Sequence, residues 1–283
     1  MGFAPVAGGA GLRHVSRMPI APLPARGVVR LAGPDQVSFL QGLVSNDVAG
    51  PLPVWAALLT PQGKWLHDFF VVPDGEALLL DCEAARAEDL AARLKKFRLR
   101  AKVELSVEPS ASVFAGWDVP APPGAWPDPR LAATGWRLIG TAAADADETA
   151  YDLHRLSLGL PDGSRDMEAE KSILLECGFD ELHGVSWSKG CFMGQELTAR
   201  TRYRGLVKKR LMPVSVAGPL PPPGAALMQA GAEVGAMRGA RETLGMALLR
   251  LEALERPAPI TWETSVVTPR VPPWMVLPQP KAA

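Results

Sequence analysis

The sequence has few of the residues from which reactive sites are commonly built. Of its 283 residues, only three are cysteine, four are histidine and two are tyrosine. The cysteines, Cys82, Cys177 and Cys191, are odd in number and widely spaced, which excludes a disulfide framework and favours a reducing compartment. We therefore expect a cytoplasmic protein.

The chain also lacks net charge and long apolar runs. Thirty basic and thirty acidic residues cancel, so no general field attracts nucleic acid or a membrane, and anion binding must be local. No apolar run reaches the roughly 18 residues of a membrane span. The first 34 residues contain no acid and faintly resemble a transit peptide, but a glycine run favours a loose arm over residues 1–20.

The scarce histidines and cysteines form no recognisable metal or catalytic pattern. The spacing of Cys177, His183 and Cys191 matches no zinc or cluster motif, so no metal site is expected. The other histidines are isolated, no serine–histidine–aspartate order can be argued, and no glycine-rich phosphate loop is present.

One cysteine nevertheless stands in an unusual setting. Cys191 lies between Gly190 and Gly194, beside Lys189, and just before a segment from Gln195 that is typical of a helix. Glycines permit a turn that displays the thiol. The positive end of a helix and a nearby ammonium group both favour the thiolate. The stretch therefore predicts a reactive thiol.

Two short segments are rich in cations. The first follows the cysteine and contains Arg200, Arg202, Arg204, Lys208, Lys209 and Arg210. It either binds a carboxylate or phosphate or is a solvated connection, and spacing alone leaves both interpretations open. The second contains Lys95, Lys96, Arg98 and Arg100. A solvated helix end is the simpler interpretation there, and anion binding is the alternative.

The hydrophobic pattern alternates strands with helices, without the long crossovers of a doubly wound sheet, and predicts an α+β fold. Residues 55–80 have the pattern of a three-stranded meander. Helices are expected over 81–98, 147–158 and 168–176. Short strand-like pieces after Arg210, separated by proline and glycine, are typical of a small antiparallel barrel.

Three separated stretches support a closer comparison. Residues 39–48 read Phe-Leu-Gln-Gly-Leu-Val-Ser-Asn-Asp-Val, and residues 59–64 read Leu-Thr-Pro-Gln-Gly-Lys. Residues 189–196 read Lys-Gly-Cys-Phe-Met-Gly-Gln-Glu. Together they resemble the YgfZ family, relatives of the glycine-cleavage T-protein, whose usual motif is Lys-Gly-Cys-Tyr-x-Gly-Gln-Glu; Phe192 replaces the tyrosine. The resemblance runs from about residue 24 to about residue 265.

This resemblance implies a T-protein-like fold of three subdomains arranged as a cloverleaf around a central hole. We expect α+β subdomains over 21–117 and 118–205, the second carrying the cysteine motif, with the chain free to cross between them. The third subdomain is expected to be a small antiparallel β-barrel over 206–270, followed by a tail over 271–283.

The resemblance also implies a function. Members of the family are implicated in assembly or repair of iron–sulfur clusters and in modification of some tRNAs, with tetrahydrofolate as the ligand. We therefore predict a folate-binding accessory protein for iron–sulfur client or assembly proteins, in which Cys191 is a poised thiolate and Lys189 assists it. The residues expected to hold tetrahydrofolate are Tyr151, Gln195, Glu196, Arg200 and Arg204.

Two positions depart from the family's pattern, and two alternatives stay open. Arg26 and Tyr151 stand where bacterial members can have tryptophans, and Tyr151 keeps a ring that can stack on a pterin. One alternative is a folate-dependent aminomethyltransferase of the T-protein class, for which Asp47 and Asp68 are the acids in suggestive settings. The other is an RNA-docking surface over residues 200–210, since cations there attract phosphates.

Overall fold

A computed structural model describes residues 19–277. The expected N-terminal arm lies outside the described residues except for its last two, and so do residues 278–283. The strands are β1 Ile20–Pro22, β2 Arg26–Ala32, β3 Val54–Leu59, β4 Trp65–Asp74, β5 Ala77–Glu83, β6 Glu104–Val107, β7 Val113–Gly116, β8 Trp126–Pro127, β9 Trp136–Ile139, β10 Lys209–Ala217, β11 Ala226–Gln229, β12 Ala232–Arg241, β13 Leu244–Arg250, β14 Ile260–Trp262 and β15 Ser265–Pro269. The helices are α1 Gln36–Gln41, α2 Ala87–Lys96, α3 Glu148–Leu158, α4 Gly163–Asp166 and α5 Gln195–Tyr203.

The described strands form three antiparallel groups. A five-stranded sheet has the order β3-β4-β5-β2-β6, and a four-stranded sheet has the order β1-β7-β9-β8. The last six strands close into a barrel in the order β10-β13-β12-β11-β14-β15. This arrangement confirms the α+β fold with a C-terminal barrel.

The five-stranded sheet is buried on both faces, which is why its central strands are almost continuously apolar. Alternate side chains of β3 and β4, such as Leu58 and Phe69, pack against α2 in one core. The intervening side chains, such as Trp55 and Phe70, pack in a second core that also contains Phe192 from the cysteine stretch. Because side chains alternate across a strand, the same two strands connect both cores.

The chain crosses between the first two sheets at both ends of the first one. β1 pairs with β7, and β7 pairs with β9, so residues before and after the five-stranded sheet complete the four-stranded one. The expected division near residue 117 therefore does not coincide with a division between sheets. Long-range pairing of this kind has no local sequence signal.

Two predicted helices differ from the structure. The helix expected from residue 81 begins at Ala87, because β5 continues to Glu83. The helix expected over 168–176 is wrong. The backbone of this segment forms hydrogen bonds with Trp65 instead: Glu170 N donates to Trp65 O, and Ser172 O accepts from Trp65 N.

The C-terminal segment packs rather than extending as a tail within the described range. Trp274 Nε1 donates to Leu158 O at 2.8 Å, at the end of α3, and Met275 is buried against the barrel core. None of the helices within residues 19–277 has the length and apolar character needed to cross a membrane.

Candidate functional site

The three stretches that carry the family resemblance meet at one place. Lys189 Nζ donates to the backbone carbonyl oxygens of Gln41, Val44 and Asn46, at 2.5, 2.6 and 2.9 Å. These carbonyls belong to the last residue of α1 and to the segment after it, so the cysteine stretch is anchored to the first sheet's unit. Burial lowers the pKa of Lys189 to about 8, which leaves the amine mostly protonated at neutral pH.

Two glycines allow the second stretch to touch the third. Gly194 has a φ of +81°, and a Cβ there would lie 2.6 Å from Thr60 O. Gly63 has a φ of +79°, and a Cβ there would lie 2.7 Å from Gly194 O. Only glycine combines this backbone conformation with so close an approach. The glycines predicted to shape the turn therefore do so, and Gly63 supplies the matching surface.

The turn displays one thiol and buries its neighbour. Cys191 is exposed, whereas Phe192 lies in the core with Trp55 and Phe179. Gly190, with a φ of +94°, faces open space. The buried ring of Phe192 thus anchors the turn to the core, while the thiol of Cys191 projects to solvent. Replacing the family's tyrosine by phenylalanine suits this burial, because no hydroxyl needs a partner.

The other two cysteines are poor candidates for chemistry. Cys82 and Cys177 are both buried. Burial raises the pKa of Cys82 to about 12 and also raises that of Cys177. A thiol in such surroundings stays protonated and inert. Cys191 is therefore the one accessible thiol among the described residues.

Lys189, predicted to assist the chemistry, is placed as a positioning residue. Its three donors are all used by backbone carbonyls, and its ammonium lies 5.4 Å from the centroid of the Phe192 ring. An amine held in this way fixes the turn that carries Cys191. The structure gives no hydrogen bond from Lys189 to a described side chain.

Helix α5 begins directly after the turn, at Gln195 as predicted, and contains the start of the first cationic segment. Gly194 is its N-cap, Gln195 and Glu196 form its first turn, and Arg204 is its C-cap. Arg200 and Arg204 are exposed and form no ion pair with another described residue, in keeping with their predicted role as anion ligands. Tyr203, which is 77% exposed, lies between them in sequence.

The rest of the segment is less uniform than its composition suggests. Arg202 stacks on Trp187 at 4.1 Å and lies 3.5 Å from Asp180. Arg210 is buried, and its guanidinium bonds to Glu181 at 2.7 Å and to Leu175 O at 3.1 Å. Interpreting all six cations as one surface is therefore wrong for Arg210, because it holds the start of the barrel.

Arg26 and Tyr151 belong to a different, buried network. Arg26 and Arg137 both bind the carboxylate of Asp81, at 2.8 and 2.6 Å, and Arg137 Nη1 donates to the Tyr151 hydroxyl at 3.0 Å. The ring of Phe70 lies under the guanidinium groups of Arg137, Arg130 and Arg26, at 4.3, 4.8 and 5.7 Å from its centroid. The network holds the two sheets together.

The residues predicted to hold tetrahydrofolate do not form one site. Tyr151 is only 5% exposed and packs against Trp117, so its ring is not a free stacking surface. No described hydrogen bond, ion pair or aromatic contact joins it to α5. The Tyr151 ring is therefore covered, and its contact with a pterin stays a prediction.

One acceptor in the buried network has no partner. Trp55 Nε1 donates to Asp68 Oδ2 at 3.0 Å, but Asp68 Oδ1 is buried without a hydrogen bond among the described residues. Burial raises the pKa of Asp68 to about 6. This oxygen suits the N–H groups of a pterin, yet the nearby Phe70 face is covered by guanidinium groups. The ring of Phe70 is thus not free for a pterin to stack on, and folate binding stays a prediction.

The described residues offer no ready metal site. Within 19–277, no group of three or more histidine, cysteine, aspartate or glutamate side chains has the arrangement that holds a metal ion. Among the described residues, Cys191 therefore has no companion ligands for a metal species.

Comparison with known proteins identifies the family. The human mitochondrial iron–sulfur cluster assembly factor IBA57 is 32% identical over 280 residues, which cover 83% of this chain and 78% of the human protein. The chain belongs to the IBA57 family. The IBA57 homologue of the fungus Mycosarcoma maydis is 38% identical, but this chain spans only 59% of its length.

The barrel and the overall fold are recognised separately. Residues 208–277 match the family model of the CAF17 C-terminal β-barrel domain. The crystal structure of the glycine cleavage system aminomethyltransferase T from Bartonella henselae superposes with a TM-score of 0.72, covering 90% of this chain and 86% of that one. At 13% identity this likeness shows the fold alone, and it confirms the T-protein-like architecture.

The relatives correct one prediction. A cytoplasmic location was expected from the few unpaired cysteines, but the IBA57 relatives are named as mitochondrial. Cysteine usage does not separate these two reducing compartments, so the expectation of a cytoplasmic protein is wrong.

Proposed function

We propose that this protein is an iron–sulfur cluster assembly factor that works through Cys191. The observation that carries the proposal is the convergence of three distant stretches on a turn that exposes the Cys191 thiol while the next side chain, Phe192, is buried in the core. The names of the IBA57 relatives supply the substrate class, iron–sulfur clusters.

In this proposal Cys191 contributes one thiolate ligand to an iron–sulfur species handled as substrate. Binding iron releases the thiol proton, as thiolate is the form that ligates metal. Lys189, Gly63 and Gly194 hold the turn in place, so the ligand is presented in a fixed direction. Since the described residues provide no further cluster of ligands, a partner assembly or client protein supplies the rest.

Helix α5 is the surface on which we expect that partner to dock. Its free cations, Arg200 and Arg204, and the exposed Tyr203 adjoin the thiol along the chain. An acidic protein surface complements this face, and charge complementarity raises the rate of encounter. Roles in tRNA modification, folate binding and aminomethyl transfer stay predictions, because no contact in the structure favours them over cluster assembly.

The direct test is complementation with Cys191→Ser in cells that lack their own IBA57. We expect iron–sulfur enzyme activities to fall to the level of the empty vector. The matched control is Ser188→Ala, an exposed neighbour three residues away, which should restore activity fully. Full activity with Cys191→Ser would refute the proposal.

A second variant separates positioning from chemistry. Lys189→Met keeps Cys191 but leaves three carbonyl oxygens without their donor, so we expect loss of activity together with a lower melting temperature. Cys191→Ser should lose activity with no change in melting temperature. If Lys189→Met were fully active, the anchored turn would have no functional role.

A further inference from the structure

The second cationic segment carries apolar side chains that stay exposed within the described residues 19–277. After α2, Phe97 is 40% exposed and Leu99 is 90% exposed. We call residues 95–102, which include the last two residues of α2, the α2–β6 loop. Its five cations are all exposed, and none forms an ion pair with another described residue. They are Lys95, Lys96, Arg98, Arg100 and Lys102.

The loop is held in a strained conformation. Leu99 has a φ of +43°, a region that a leucine rarely adopts. Two hydrogen bonds from backbone N–H groups fix the turn. Ala101 N donates to Arg98 O at 2.7 Å, and Lys102 N donates to the side-chain oxygen Asp35 Oδ2 at 2.7 Å. A side chain that is exposed on a strained backbone makes few contacts that stabilise the fold. The position of Leu99 at the tip of the loop therefore indicates a contact with another molecule.

A hollow lies beside the tip. Its volume is about 420 Å³, and it is lined by Gly33, Arg98, Ala101, Lys102 and Glu104, among others. Arg98 and Lys102 provide two cations at its edge, against one acid, Glu104. The hollow is therefore suited to a small anionic group that approaches together with the loop.

We propose that the α2–β6 loop docks this protein on an anionic phospholipid surface. Lipid phosphates would pair with the five cations and enter the hollow, while Leu99 and Phe97 insert at the boundary of headgroup and acyl chain. A basic segment with apolar side chains on one face is the usual means by which soluble domains bind such surfaces. This inference is independent of the function proposed for Cys191.

The side chains at the tip favour lipid over RNA. The most exposed apolar group, Leu99, is aliphatic, and the one ring of the loop, Phe97, is only 40% exposed. Single-stranded nucleic acids bind through stacking on exposed aromatic groups. An aliphatic side chain gains most where hydrocarbon is available to bury it. Because the net charge is zero, attraction to an anionic surface must come from a local group of cations such as this one.

Vesicle flotation tests the proposal with the full chain. We expect binding to phosphatidylcholine vesicles that contain phosphatidylglycerol, and none to phosphatidylcholine alone. Lys95→Gln with Lys96→Gln should lower the partition constant by about thirtyfold, as each cation near such a surface contributes about 1 kcal/mol. Leu99→Ser should lower it by about tenfold.

Leu99→Gly is the sharpest variant. Glycine tolerates positive φ, so this change should raise the melting temperature while it weakens vesicle binding. The matched controls are Tyr203→Ser and the pair Arg200→Gln and Arg204→Gln on α5, which remove similar groups elsewhere and should leave binding unchanged.

Four results would overturn the inference. Equal binding to both kinds of vesicle, or an equal loss with the α5 controls, would show that the loop is not the docking site. Displacement by soluble glycerophosphate would assign the hollow to a free phosphate compound. Tighter binding to single-stranded RNA, insensitive to Leu99→Ser, would assign the loop to nucleic acid.

Discussion

Two groups of arginines in this protein differ in burial and in ion pairing. Around Asp81, Arg26 and Arg137 are buried and matched by carboxylates and by the ring of Phe70. On α5, Arg200 and Arg204 are exposed and unmatched by any described acid. The first group holds two sheets together, and the second is available to a partner.

The difference lies in what surrounds each group rather than in residue type. A buried guanidinium must have its charge and donors satisfied, so it consumes nearby acids. An exposed one is hydrated and can exchange water for a partner's carboxylate at little cost. Mutations should therefore affect stability in the first region and binding in the second.

The largest effect is expected at Asp81. Asp81→Ala leaves the buried guanidinium of Arg137 without its ion-pair partner and leaves Arg26 with only Asp162, at 3.5 Å. It should lower the free energy of unfolding by about 3–5 kcal/mol. Asp74→Ala is the control, because Asp74 meets Arg30 at 3.7 Å on the surface, and it should change stability by less than about 1 kcal/mol. Urea denaturation measures both. Equal small losses would mean that the network around Asp81 is not structural.

Removing the charge of Asp68 should raise the free energy of unfolding at neutral pH, whereas removing that of Asp81 lowers it. Its pKa is raised by burial from 3.8 to about 6, so the folded state holds its proton more tightly than the unfolded state does. The resulting stability is fully present below about pH 4 and is lost as the pH rises through 6. Asp68→Asn should therefore gain up to about 3 kcal/mol at pH 7 relative to wild type, and little at pH 4. Parallel stability curves across this range would contradict the assignment.

The turn offers an intermediate case. Gly194→Ala places a methyl group 2.6 Å from Thr60 O as well as straining φ, whereas Gly190→Ala strains φ in open space. We expect losses of about 3 and about 1 kcal/mol respectively. If the two variants unfolded at the same denaturant concentration, the packing of Gly194 on Gly63 would not be tight.

The smallest effect on stability is expected on α5. Arg200→Ala with Arg204→Ala should change the free energy of unfolding by less than about 0.5 kcal/mol, because neither side chain has a described ionic partner. The same pair should weaken binding to an iron–sulfur assembly partner and reduce its salt dependence. A marked loss of stability would place these arginines with the buried group.

Local features of the site could be predicted from the sequence. The glycine turn, the helix from Gln195 and the exposed thiol depend on neighbours within a few residues, and all three are present. The meander and the barrel followed from hydrophobic alternation and turn residues. The family resemblance grouped residues 39–48, 59–64 and 189–196 from the sequence alone, and the structure shows that these stretches are in contact.

Features that depend on distant partners could not. Nothing near Lys189 in sequence indicates that its donors serve carbonyls after α1, and composition alone does not tell buried Arg210 from exposed Arg204. Tyr151 looked available because its cover, Trp117 and Arg137, comes from other strands.

The bonds of Lys189 also bear on how the protein comes to be active. Their donor and acceptors are separated by 143 to 148 residues along the chain, and closing a loop of that length is a late event for most topologies. A partly folded chain therefore has the thiol but not its fixed presentation. Display of Cys191 thus reports that folding of the first two sheets is complete.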